Sequence, residues 1–80
     1  MGRLGSFASL KYLVIIETGS TSFGAYLPDL PGCVAAAETR REVRKLIREG
    51  IELHIHALRA AGEPVRAPMS KSELVRIRAA

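Results

Sequence analysis

Phe23-Gly24-Ala25-Tyr26-Leu27-Pro28-Asp29-Leu30-Pro31-Gly32-Cys33-Val34-Ala35-Ala36-Ala37-Glu38 decides the fold, because it encloses an obligatory break between two extended runs. Phe23 to Leu27 reads as a strand, with Phe23, Ala25 and Leu27 on one face. Pro28 and Pro31 have no amide hydrogen to give to a ladder, and Gly32 adds a turn residue, so the ladder stops there. Cys33 to Glu38 resumes as a third strand. Ala35, Ala36 and Ala37 are weak strand formers on their own, so this strand rests on its neighbours. Strands joined by such short links run antiparallel.

Toward the N-terminus, Lys11 to Thr18 is rich in β-branched and aromatic residues and predicts a first strand, closed by the turn residues Gly19-Ser20-Thr21-Ser22. Leu13 and Ile15 fall on one face; Tyr12, Val14 and Ile16 fall on the other. A strand apolar on both faces wants cover on both sides, and one helix covers only one. The second face is expected to be a subunit contact. Residues 1–9 show no periodicity and read as a flexible leader, leaving 10–80 as one domain. Met1-Gly2 with Ser6 meets an N-myristoylation pattern too short to separate from coincidence.

Toward the C-terminus, Thr39-Arg40-Arg41-Glu42 is a capping box that opens a helix. Apolar residues follow at Val43, Leu46, Ile47, Ile51, Ile55 and Leu58, one face of a helix running to about Ala61, where Gly62 and Pro64 stop it. Gly50 lies within that face at a cost of about 1 kcal/mol against Ala. It therefore predicts a close approach to the sheet, under an aromatic ring. Arg41, Arg44, Lys45, Arg48 and Arg59 form a basic stripe, interrupted only by Glu52. Beyond the helix the chain is extended. Leu74 to Arg78 alternates as a fourth, edge strand would, while Ser70-x-x-Glu73 offers a short helix cap as the alternative. The fold class is α+β: a two-layer β-β-β-α-β domain, its antiparallel sheet of three to four strands packed on one long helix.

The 80 residues, 48% hydrophobic and 25% charged, make one globular domain. A chain this short buries little of its surface, and no disulfide is available from the single Cys33, so self-association is expected. The net charge of +4 permits an anionic partner. No apolar run approaches the ~20 residues of a membrane span, and the lone cysteine suits a cytoplasmic setting. Catalytic, cofactor-binding and metal-ligating residues are all expected to be absent. His54 and His56 diverge on a helix and cannot share an ion. Glu17, Asp29 and Glu38 are too few for a two-metal nuclease. Neither a phosphate loop nor a nucleophile elbow occurs. No aromatic residues interleave the basic stripe, so it is not a stacking platform for single strands.

The run from Phe23 to Val34 resembles the HicB antitoxins, with Pro28-Asp29-Leu30-Pro31-Gly32-Cys33 its most specific part. Tyr12-Leu13-Val14-Ile15-Ile16-Glu17, the helix after Thr39 with Ile51-Glu52-Leu53-His54, and Gly62-Glu63-Pro64-Val65 are similar to the family too. The resemblance spans about residues 11–67. It implies a partial ribonuclease-H-like fold without the catalytic carboxylates. It also implies a non-enzymatic bacterial protein that neutralises a small HicA-type, mRNA-cleaving toxin by protein contact, as a homodimer or tetramer. Asp29, Leu30, Pro31, Gly32 and Cys33 are then the expected partner-binding segment. Arg40, Arg41 and Arg44 stand where the family is usually acidic, and residues 68–80 are too few for the C-terminal DNA-binding module that many members carry. A second class of function therefore accompanies the first: a nucleic-acid or acidic-partner contact through Arg41, Arg44, Lys45 and Arg48.

Overall fold

A computed structural model describes residues 10–79; the expected leader and its myristoylation pattern lie outside the described residues. Three strands and one helix follow in order: β1 (Ile15–Thr18), β2 (Phe23–Tyr26), β3 (Val34–Ala37) and α1 (Arg40–Ala60). The sheet is antiparallel in the order β1-β2-β3, with Ile15 opposite Tyr26 and Tyr26 opposite Val34. The α+β reading holds, and its ribonuclease-H-like part stays an implication of the resemblance.

The expected first strand is shortened at its start. Residues 11–14 join no ladder, because β2 turns away into Pro28 just past Tyr26 and leaves them no partner among the described residues. Gly19 donates its amide to the Ser22 carbonyl at 2.7 Å and closes the β1–β2 hairpin. The β2–β3 link ends in a tight turn, the Cys33 amide reaching the Leu30 carbonyl at 3.2 Å. Pro31 stands second in that turn and Gly32, at φ 90°, third. This is a type II arrangement, which needs a residue tolerant of positive φ at the third place.

Thr39 begins α1: its Oγ1 accepts the Glu42 amide at 3.0 Å. The helix ends as Gly62 predicts. At φ 73° that glycine donates to the Arg59 carbonyl, and Glu63 donates to the Leu58 carbonyl, the paired bonds of a Schellman motif. Arg40, a cation in the unfavourable first turn, lies 5.7 Å from the centroid of the Phe23 ring.

The core consists of Ala25, Leu27, Leu30, Cys33, Val43 and Ile47, with Val43 wholly enclosed. Gly50 is half-buried, and the close approach it predicts is to a sulfur, not an aromatic ring: a Cβ there would meet Cys33 Sγ at 3.7 Å. The helix lies over β2 and β3, so β1 overhangs its edge. Leu46 and Leu53, on the opposite flank of the helix, are 40% and 70% exposed. Leu46 is thus a margin residue, not a core one.

The fourth strand expected over Leu74–Arg78 does not form, nor does the alternative helix. Residues 71–79 run without secondary structure and exposed throughout, Leu74 completely so. The alternation of that segment is real, but no strand among the described residues pairs with it.

Gly50→Ala should raise stability by about 0.5–1 kcal/mol, because the helix gains and 3.7 Å is ordinary contact. A thermal melt should move up by a few degrees. Ile47→Asp should cost several kcal/mol as a buried unpaired charge, whereas exposed Arg48→Ala should stay within about 0.5 kcal/mol. Denaturant midpoints check both.

Candidate protein-interaction surfaces

The Pro28–Cys33 loop is built inward. Leu30 and Cys33 are 2% and 6% exposed and complete the core, while Pro31 and Gly32 form the exposed tip. Burial pushes the Cys33 thiol up, which keeps it protonated and unreactive. Asp29 points to the far end of the chain. Its Oδ2 accepts the amides of Met69 and Ser70, and its Oδ1 accepts the Ser70 hydroxyl, each at 2.8 Å. Nearby, the Tyr12 hydroxyl donates to the Arg66 carbonyl. Burial and the Asp29 charge push the Tyr12 phenol up, favouring the protonated donor. Together these bonds form a clasp that fixes residues 66–70 beside the start of β1.

Among the described residues two surfaces lack cover. The first is the outer face of the sheet, which carries Ile15, Tyr26 and Val34 in register, Tyr26 being 40% and Val34 70% exposed. Leu13 continues its row toward the N-terminus. The second is a groove of about 960 Å³ between the β1 side and the helix. Val14, Ile16, Ile51 and Ile55 supply its apolar floor, and Arg44, Arg48 and Arg59 stand along it.

The basic residues take the opposite layer from the outer sheet face. Arg41, Arg44, Lys45 and Arg48 are all exposed and, with Thr39 and Glu42, line a shallow depression of about 610 Å³. His54 is half-buried and His56 exposed. Among the described residues no three His, Cys, Asp or Glu side chains converge as a metal ion would require. No helix there is long and apolar enough to cross a membrane.

A family model described as the HicB-like antitoxin of bacterial toxin-antitoxin systems matches residues 12–78. The chain belongs to this family. No curated protein and no solved structure matches it. For a HicB-like antitoxin the family match points to a toxin partner, and members are generally non-enzymatic. The match reaches residue 78, so it takes in most of the exposed C-terminal segment.

The structure brings the five loop residues together but gives three of them internal duties, so only Pro31 and Gly32 present themselves directly. It also gathers all four helix cations on one wall. The clasp escaped the sequence reading. Asp29 sits in the loop, but its partners lie 40 and 41 positions away and no local pattern joins them. The exposure of Tyr26 and Val34 was readable in principle from the alternation across β2 and β3.

The hydrogen bonds from Ser70 and Met69 hold the Asp29 carboxyl below the usual carboxylate range. Its contribution to stability is complete above the unfolded value of about 3.9 and is lost as pH falls through the lower folded value. Asp29→Asn should therefore melt below the parent at neutral pH, and the difference should shrink in acid. Melts across the acid range check this. A constant difference at every pH would mean that the carboxylate charge is not what the clasp uses.

Proposed function

We propose that this protein is the neutralising member of a toxin-antitoxin pair and binds a small HicA-type, mRNA-cleaving toxin by protein–protein contact in the cytoplasm. It works as an oligomer and has no catalysis of its own. The family match across most of the domain carries this reading. The toxin contact lies at the loop tip, Pro31 and Gly32, together with Tyr26 and Val34 on the strands that the loop joins. Asp29, Leu30 and Cys33 act beneath it by holding the tip rigid. Charge favours that side. A toxin that grips RNA presents cations, and the basic helix would repel it, whereas the sheet's outer face lies in the other layer.

Co-expression with a HicA-type toxin should relieve its growth arrest, and the two should co-purify. Val34→Asp should abolish both while leaving the melt nearly unchanged, since Val34 is exposed. The purified protein should leave RNA intact with Mg²⁺ or Mn²⁺. Failure of a folded wild-type chain to bind or rescue would reject the antitoxin reading.

The exposed cationic wall supports a second reading, contact with nucleic acid or an acidic protein through Arg41, Arg44, Lys45 and Arg48. Nucleic-acid affinity would then fall steeply with salt and drop on replacing Arg44 and Arg48 with alanine.

A further inference from the structure

We infer that the C-terminal arm, residues 71–79, is an exchange strand: it adds to the edge of β1, unpaired among the described residues, in a second copy of this chain and receives that copy's arm in return. The inference rests on the self-association proposed above and specifies how the copies join.

The arm has the makings of a strand and no pairing partner among the described residues. From Ser70 onward it contains neither proline nor glycine, so every amide can donate to a ladder. Leu74, Val75 and Ile77 are 102%, 66% and 73% exposed, a density of bare aliphatic side chains that an idle tail does not need. Val75 and Ile77 share one side. Leu74, Arg76 and Arg78 share the other. The arm also lies within the residues that the family match covers.

The receiving site is equally specific. β1 is an edge strand, and residues 11–14 lead into it with neither proline nor glycine. Its helix-facing side opens on the groove floored by Val14, Ile16, Ile51 and Ile55. A strand laid along β1 would seat its inner residues there, and Val75 and Ile77 fit that role, with Arg76 outward. The other sheet edge, β3, is four residues long, with Gly32 before it and α1 starting soon after.

The arm's own body does not take it. The clasp holds Met69 and Ser70 beside Asp29, and past that root the chain leaves the surface, so that Leu74 touches nothing. A second copy supplies an identical edge and an identical arm. Two reciprocal additions close with twofold symmetry and leave neither arm nor β1 edge unpaired.

The test compares the full chain with one ending at Lys71, which retains the clasp, and with a Val75→Asp/Ile77→Asp double variant. Circular dichroism should show all three folded, since the arm touches neither sheet nor helix. By light scattering the full chain should have twice the chain mass. The other two should dissociate at concentrations about 100-fold higher or more, given two aliphatic side chains withdrawn from burial. Hydrogen exchange should show, in the full chain only, added protection at the amides of residues 13–16 that point away from β2. Arm and groove are both predominantly basic, so their association should tighten as salt shortens the screening length from about 30 to about 8 Å. Nucleic-acid binding would weaken over that range. A truncated chain that keeps twice the chain mass overturns the exchange and leaves self-association to the outer sheet face. A full chain that stays monomeric overturns both, whether β1 is bare or its own arm has folded back over it. Toxin binding, assayed separately on the truncated chain, bears on the antitoxin reading alone.

Discussion

The contact between α1 and a floor of small side chains governs this molecule. Ala25, Ala35, Ala37 and Cys33 face the helix, and Gly50 answers Cys33 from the helix side. Such residues let the two layers meet closely enough for Val43 and Ile47 to be enclosed. They also make the core narrow. The helix has apolar residues on both flanks of its buried line, and a floor two strands wide serves only the middle. Leu46 and Leu53 spill over one side, and Ile51 and Ile55 over the other. The exposed apolar surface follows directly from what makes the core fit.

That narrowness divides the surface by chemistry. The outer sheet face carries an exposed apolar row, the groove is apolar beneath a basic rim, and the first turns of the helix are mainly basic. Each suits a different neighbour: a folded protein, an added strand and an anion. The outer sheet face lies in a different layer from the other two, whereas the groove and the cationic depression share Arg44 and Arg48.

Local chemistry made much of this legible in the sequence. Thr39, Gly62, Pro28, Pro31 and Gly32 each impose a backbone rule on their own neighbourhood, and the structure obeys each of them. The doubly apolar β1 implied a face that the helix does not cover, and Ile15 lies on the sheet face away from the helix. Legibility ended where an outcome depended on distant chain. Residues 11–14 look like strand but lose pairing because β2 ends opposite them. Leu74–Arg78 alternates as a strand but lies along none of the described strands. Asp29 read as part of a contact loop, and its bond to Ser70 needed the fold to bring the two together. The four helix cations were readable as a stripe, since helical spacing alone places them.

The clasp also orders events in time. The Asp29 and Tyr12 bonds join residues 40, 41 and 54 positions apart, whereas each hairpin turn and each helix cap closes within a few residues. Contacts between near neighbours cost little loop entropy and form early; those across half the chain wait for the intervening structure. The sheet and helix therefore assemble first, with the C-terminal residues still untethered, and the carboxylate captures Ser70 last. Two chains that meet before that capture carry finished bodies and loose ends, and can link without undoing any folded element.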